Sequence, residues 1–508
     1  MMAEFLRATK ITKAFPGVLA NDHISLEVRE GEVHALLGEN GAGKTVFTSI
    51  LYGLYQPDFG EIYVHGERFR MSSPRRAMAC GIGMVQQNFM LIPVFTVAQN
   101  IVLGVDPFKK WYRPGEGSRR EVQRLADEYG FEIDPDAKVE DLSVGIRQRV
   151  EILKVLYRRA RLLILDEPTG VLTPQEAHQL SVSLRRLVDQ GLSVIFITHK
   201  LHEVMEFSDR VTVMRSGRVV DSCKTADTDE MSLARMMVGR DVVLRVSRPE
   251  QTPGAVALKV DGLRVMNAQG VLALRDISFE LREGEIMGVA GVDGNGQREL
   301  AEALYGLRRP ISGKIRLLGK DVTGFPVSHL QQAGLRYVAP DRVSALIRSF
   351  TVTENLVLED VARPAFSRRG IVKWDQAAKF AESMVKEFSV HTSSVRNLAK
   401  NLSGGNQQKI LLARATWTRA KVLIVAQPTR GLDVGATEYI RLKLLECRST
   451  GMAVLLISTD LDEILSLSDR IAVLFRGQWQ GILDHSEAGR ERVGALMAGG
   501  NMARQVGA

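Results

Sequence analysis

The chain has 508 residues and only three cysteines, Cys80, Cys223 and Cys447. They are odd in number and far apart, so they form neither a disulfide framework nor a metal-ligand spacing. A reduced, cytosolic setting is expected. Long apolar runs are missing too. None approaches the roughly 18 residues of a membrane-spanning helix. The longest, such as Leu192 to Thr198 and Ala453 to Ile457, have the length of buried strands. The stretch Met1 to Lys10 carries charges and lacks the apolar core of an export signal. Blocks of five or more like charges are absent. The net charge of +8 therefore reads first as a basic solvated surface, with attraction to nucleic acid or to an anionic membrane as the alternative. At 45% hydrophobic and 25% charged, the composition is that of globular domains with sizeable cores.

What is present is a repeat. Ile24 to Val28 is echoed by Ile277 to Leu281, and Arg29-Glu30-Gly31-Glu32 recurs as Arg282-Glu283-Gly284-Glu285. Gly38 pairs with Gly291 at a spacing of 253 residues, and Ser208-Asp209-Arg210 with Ser468-Asp469-Arg470 at 260. Internal repeats of this kind mark duplicated structural units. The expected division is a first domain over 1–246, a linker over 247–254 containing a proline, and a second domain over 255–508. Strand-like runs alternate with helical stretches in each half, which implies α/β domains with parallel sheets. Polar, helix-patterned inserts cover about Phe89 to Asp141 and Arg342 to Asn401.

Gly38-Glu39-Asn40-Gly41-Ala42-Gly43-Lys44-Thr45 matches the phosphate-binding loop pattern GxxxxGK[ST]. An apolar strand, Val33 to Leu37, precedes it. A helical pattern through Val46, Phe47, Ile50, Leu51 and Leu54 follows. The loop presents backbone N–H groups to phosphate at a helix N-terminus, Lys44 adds a point charge, and the Thr45 hydroxyl is a Mg²⁺ ligand. Leu162 to Leu165 form a second apolar strand, expected to be central, that delivers Asp166 and Glu167 at its C-terminal end, where such sheets bind ligands. Asp166 is the expected metal ligand and Glu167 the group that polarises water. ATP and Mg²⁺ are the implied cofactors.

With these motifs together, the chain resembles the ATP-binding subunits of ABC transporters over nearly its whole length. The piece that carries the resemblance is Leu402-Ser403-Gly404-Gly405-Asn406-Gln407-Gln408, which is similar to the signature of that superfamily. The resemblance implies two P-loop ATPase domains in tandem, each with a RecA-like core and a helical subdomain. It implies head-to-tail packing, in which Ser403, Gly404, Gly405 and Asp433 of half two complete the ATP site of half one. It further implies that Gln87 contacts Mg²⁺ and senses the membrane partner, that His199 holds the γ-phosphate and orients water, and that Phe15 stacks on adenine. Tandem chains of this size resemble the ATPases of simple-sugar and nucleoside importers. Gly83 to Leu91 and Leu142 to Lys154 lean toward the nucleoside branch, served by lipoprotein binding proteins.

The halves differ in a sorted way. Lys44 and Thr45 correspond to Gln297 and Arg298, Asp166 and Glu167 to Ala426 and Gln427, His199 to Thr459, and Gln87 to Pro340. No aromatic stands near Ala268 to match Phe15. The signature position of half one reads Leu142-Ser143-Val144-Gly145-Ile146, and Thr173 stands where half two has Asp433. Under head-to-tail packing every defect falls on one site, so one hydrolytic site per chain is expected. The implied partners are permease subunits in trans, with an extracytoplasmic solute-binding protein acting indirectly, and no nucleic acid. The implied location is the cytoplasmic face of the inner membrane. The rival reading is a soluble ABC ATPase acting on the ribosome or nucleic acid.

Overall fold

The computed structural model describes residues 3–105, 115–170, 172, 174–241, 248–418 and 420–499. The chain divides into two compact units, Met1–Val242 and Val243–Ala508.

Unit 1 is built on a six-stranded sheet. Its order is Arg218–Lys224, Arg210–Arg215, Val33–Gly38, Ser193–Thr198, Leu162–Asp166, Ile82–Val85. All neighbours are parallel except the first pair. Every residue of Val33–Gly38, Leu162–Asp166 and Ser193–Thr198 is buried. This explains their continuous apolar sequence, since a parallel strand is covered on both faces. Leu162–Asp166 lies one strand in from the edge rather than at the centre, and it is buried because helices cover it. A second, antiparallel sheet pairs Val18–Arg29, Glu4–Phe15, Phe59–Val64 and Glu67–Phe69. Its strands alternate between buried and exposed residues, as a one-sided sheet requires. Phe5, Leu6, Ile24, Phe47 and Ile50 fill the space between the two sheets. The other face of the parallel sheet packs on helices Val144–Tyr157 and Pro174–Asp189 through Ile152, Leu153, Leu180 and Leu184.

Unit 2 repeats this plan. Its parallel core runs Leu335–Val338, Val422–Ala426, Ala453–Ser458, Ile286–Ala290, Arg470–Phe475, with antiparallel Gln478–Asp484 at the edge. The inserts are largely helical in both units. Each contains a helix that opens on a capping box, Thr96 with Gln99 and Thr351 with Glu354. The insert of unit 2 contains a small hairpin, Ser367–Arg368 with Ile371–Val372. The stretch expected to be a linker is seated on unit 2. Arg248 pairs with Asp469, Arg448 donates to the Pro249 carbonyl at 2.9 Å, and Gly254 N–H donates to the Glu283 carbonyl at 2.8 Å.

One buried carboxyl has different surroundings in the two units. In unit 1, Glu203 accepts hydrogen bonds from Thr169 and Thr198 and pairs with Lys200 at 2.9 Å. Its pKa is lowered despite burial. In unit 2 the lysine position holds Asp460. Burial, then the Asp460 charge, push the fully buried Glu463 up to about 7. A carboxyl raised in the fold contributes stability that is present below its unfolded value and lost as pH rises through its folded value. Calorimetry should therefore show Glu463→Gln raising the melting temperature by a few degrees near pH 8, with a much smaller gain near pH 5. An equal gain at both pH values would contradict the assignment.

Candidate nucleotide site

The loop Gly38 to Thr45 joins strand Val33–Gly38 to helix Lys44–Leu51. Asp209 anchors the strand by accepting from Val33 N–H at 2.8 Å. Gly43 stands at the helix N-cap with φ 96°, and a Cβ there would lie 2.3 Å from the Ala20 carbonyl oxygen. A Cβ at Gly38 would lie 2.4 Å from the Met214 carbonyl oxygen. These two positions admit only glycine, because the loop runs hard against neighbouring backbone. Asn21, which no motif singles out, donates to the Gly43 carbonyl at 3.0 Å and fixes the loop from the antiparallel sheet.

Lys44 is buried, with Nζ donating to the Gly38 and Glu39 carbonyls at 2.5 and 3.0 Å. Burial lowers its pKa, and the charges of Glu167 and Asp166 oppose the shift. Asp166 ends its strand, buried. Burial and then the Glu167 charge raise its pKa, while Lys44 and a hydrogen bond from the Thr45 hydroxyl act against this. Thr45 and Asp166 thus converge beside the lysine, an oxygen pair of the hard type that Mg²⁺ takes.

Glu167 adopts φ 46°, in the left-handed region. Such a conformation costs on the order of 1–3 kcal/mol for a non-glycine residue and concentrates at functional sites. Its two oxygens are held separately. His199 Nδ1 lies 2.7 Å from Oε1, and Gln87 Nε2 donates to Oε2 at 2.9 Å. The His199 hydrogen bond is the largest cause of the lowered pKa of Glu167, which stays ionised beside the lysine. Four separate segments therefore place Gln87, Lys44, Glu167 and His199 together. Phe15 ends strand Glu4–Phe15 partly exposed, edge-on to Tyr55 at 5.5 Å, with Lys13 Nζ 5.7 Å from its ring centre. Tyr55 carries no motif and was not singled out from sequence.

Beside Gln86 a groove of about 240 Å³ opens, lined by Met78, Met84, Met90, Glu151 and Lys154. Gly83 borders it, and a Cβ there would lie 2.0 Å from Val155 Cγ1. The matching residue of unit 2 is Arg336, fully buried, paired with Asp360 at 2.8 Å and with Glu359 at 3.3 Å, while Arg414 pairs with Glu359 at 2.9 Å.

Unit 2 keeps the loop and loses the chemistry. Gly296 has φ 106° at the cap of helix Gln297–Leu304, and Gln427 keeps the left-handed φ of its counterpart at 48°. Gln427 now only accepts from Thr459, N–H at 3.3 Å and hydroxyl at 3.1 Å. The signature residues cap helices. Ser403 accepts from Asn406 N–H at 3.4 Å at the start of Gly404–Thr416, and Asp433 from Ala436 N–H at 2.6 Å at the start of Val434–Ser449. A Cβ at Gly405 would lie 2.9 Å from Ala436 Cβ. In unit 1, Ser143 caps in the same way and Val144 is exposed. Thr173 lies outside the described residues.

A strand, a glycine loop on a helix N-terminus and a signature-type helix cap recur in both halves, and the acidic strand end stands in unit 1 alone. A family model described as ABC transporter matches residues 21–170 and 274–430. The chain belongs to the ABC transporter family. It is an ATP-binding chain with two cassettes in tandem, and its relatives match it over nearly its full length. The Guanosine import ATP-binding protein NupO of Bacillus subtilis is 46% identical over 98% of both chains. The Nucleoside import ATP-binding protein NupA of Lactococcus lactis is 43% identical over 97% of both. The Glucose import ATP-binding protein TsgD13 of Haloferax volcanii is 45% identical over 98% of this chain and 96% of its own.

Because the cassette loop closes on backbone at Gly43, Gly43→Ala is expected to lower ATP affinity at least about tenfold, measured by equilibrium dialysis. Wild-type affinity in this variant would show that the loop rearranges freely and that its described geometry is not what binds phosphate.

Proposed function

We propose that this ABC ATPase hydrolyses ATP at one site per chain and drives the import of nucleosides through permease subunits supplied in trans. The observation that carries the hydrolytic assignment is the Glu167 carboxylate, ionised and held between Gln87 and His199 beside the buried Lys44. The nucleoside reading is supported by the two import relatives named for guanosine and nucleosides. The glucose relative at similar identity keeps simple sugars as the alternative.

In this reading the loop amides and Lys44 hold the β- and γ-phosphates, and Phe15 stacks on adenine. Thr45, Asp166 and Gln87 fit a Mg²⁺ ion, which neutralises charge on the phosphates when bound. Glu167 accepts a proton from the attacking water, and His199 orients that water and the γ-phosphate. Ser403, Gly404, Gly405 and Asp433 of unit 2 act on the same nucleotide from the opposite side. Their helix N-terminus supplies amides and a hydroxyl to the γ-phosphate. Nucleotide gripped from both sides draws the units together, and the groove beside Gln86 passes that movement to a short permease helix. The chain then works at the cytoplasmic face of the membrane, and among the described residues no helix is long and apolar enough to cross it.

Four measurements test this. Glu167→Gln should bind ATP and lower kcat about a hundredfold or more. It should fold, because unit 2 already carries glutamine in the same backbone conformation. ATPase activity near wild type would sink the assignment. Lys44→Ala and Ser403→Arg should each abolish both ATPase activity and transport. Normal turnover in Ser403→Arg would show that the signature of unit 2 does not serve the site of unit 1. Uptake of labelled guanosine, ribose and glucose by cells carrying the chain and its permease separates the nucleoside reading from the sugar reading. RNase-sensitive sedimentation with ribosomes in place of membrane association would overturn both.

A further inference from the structure

Phe15 sits in a cluster of side chains that the phosphate motifs do not account for. It ends its strand with 36% of its surface exposed. Tyr55 stands against it, with ring centres 5.5 Å apart and planes at 77°, a geometry that aromatic pairs prefer. Lys13 Nζ lies 5.7 Å from the Phe15 ring centre and pairs with Asp58 at 2.8 Å. The other Asp58 oxygen accepts from Ala14 N–H at 2.7 Å, so the residue before Phe15 is fixed as well. Tyr55 and Asp58 belong to the loop that leaves helix Lys44–Leu51, the helix that carries the glycine loop. Leu54 and Tyr55 N–H groups donate to the Ser49 carbonyl of that helix at 2.8 and 3.3 Å. One short segment thus joins the phosphate-loop helix to the strand end that bears Phe15.

Unit 2 is an internal control. Its backbone makes the same turn, with Leu307 and Arg308 N–H groups donating to the Glu302 carbonyl at 2.8 and 3.2 Å. Ile311 N–H donates to the Arg264 carbonyl at 2.8 Å, much as Asp58 N–H donates to the Thr12 carbonyl at 2.8 Å. The side chains differ at every member of the cluster. At the repeat spacing of 253 residues, Lys13, Phe15, Tyr55 and Asp58 become Met266, Ala268, Arg308 and Ile311. Arg308 donates to the Met266 carbonyl at 3.0 Å and pairs with Glu302 at 2.6 Å. The turn therefore folds without the aromatic pair and without the lysine–aspartate pair. Both accompany Phe15 in the unit that keeps Lys44, Asp166 and Glu167.

We propose that Tyr55 is a positioning residue for the nucleotide base, holding the Phe15 ring in one orientation with its open surface presented to adenine. A ring fixed before the base arrives loses less freedom on binding, so the gain appears as affinity. The proposal rests on the reading that Phe15 stacks on adenine, and Tyr55 acts through Phe15 rather than on the base.

The test is steady-state ATP hydrolysis by the full chain assembled with its permease. Tyr55→Ala should raise KM for ATP about three- to tenfold and leave kcat unchanged, the split expected when binding common to ground and transition states is lost. Tyr55→Phe should keep the wild-type KM, because the ring makes the contact. Inhibition by tripolyphosphate, which has no base, should be the same in both variants and the wild type. Phe15→Ala should raise KM at least as much, and adding Tyr55→Ala to it should raise KM no further. Tyr55 is 44% exposed, and unchanged calorimetric melting would exclude unfolding. Wild-type KM in Tyr55→Ala, weakened tripolyphosphate inhibition in that variant, or a further rise in the double variant would each overturn the proposal and leave the stacking reading standing. Wild-type KM in Phe15→Ala would overturn the stacking reading, and the proposal with it.

Discussion

Leu37 lies opposite Thr198, and Ile197 lies opposite Asp166, in three parallel strands buried on both faces. A one-residue slip in either pairing would reverse the faces of a whole strand and bury no less apolar surface, so register here is set by what the strand ends must do. The loop after Gly38, the pair Asp166 and Glu167, and His199 all leave the sheet at the same edge. The contact between His199 and Glu167 exists because their strands end level. Gln87 reaches the same carboxylate from the neighbouring strand Ile82–Val85. The chemistry of unit 1 is therefore a property of sheet register, and the helices around it serve to keep that register buried.

Unit 2 separates scaffold from chemistry. It retains strand order, the positive φ of Gly296 and Gln427, the capping boxes and the buried asparagines Asn100 and Asn355, each accepting from a loop N–H eight residues before it. It has exchanged the residues that would touch phosphate, metal and water. The left-handed conformation at Gln427 is informative. The conformation persists with glutamine in place of glutamate, and Gln427 N–H donates to the Ile457 carbonyl at 2.7 Å just as Glu167 N–H donates to the Ile197 carbonyl at 3.0 Å, so the turn is held by the neighbouring strand in both units. Strain of this kind belongs to the fold once neighbouring elements are built around it.

Much of this was legible in the sequence, and the reason is local. Glycine loops, strand-end acids and serine caps act through neighbouring backbone, so their spacing survives in one dimension. The duplication supplied a second reading of each motif. What could not be read depends on contacts between distant segments. Asn21 reaches Gly43 across 22 residues and Tyr55 meets Phe15 across 40, and neither has a pattern around it. The seating of Arg248 to Gly254 on unit 2 was hidden for the same reason, since a proline-containing charged stretch looks alike whether it is tethered or loose. The position of Leu162–Asp166 within the sheet was likewise invisible, because burial by helices and burial by strands leave the same apolar run.

The two units also diverge at a place far from phosphate. Gly83 leaves a groove beside Gln86, whereas its counterpart Arg336 is buried in an ion network with Asp360, Glu359 and Arg414. Burying such a network costs desolvation that ion pairing only offsets, so it is poor evidence of a need for stability. Its effect is to fill with a buried ion network the position where unit 1 has Gly83 beside a methionine-lined groove. Together with the exchange of Lys44, Asp166, Glu167 and His199 for Gln297, Ala426, Gln427 and Thr459, it makes the two units differ beside Gln86 as well as along the glycine loop.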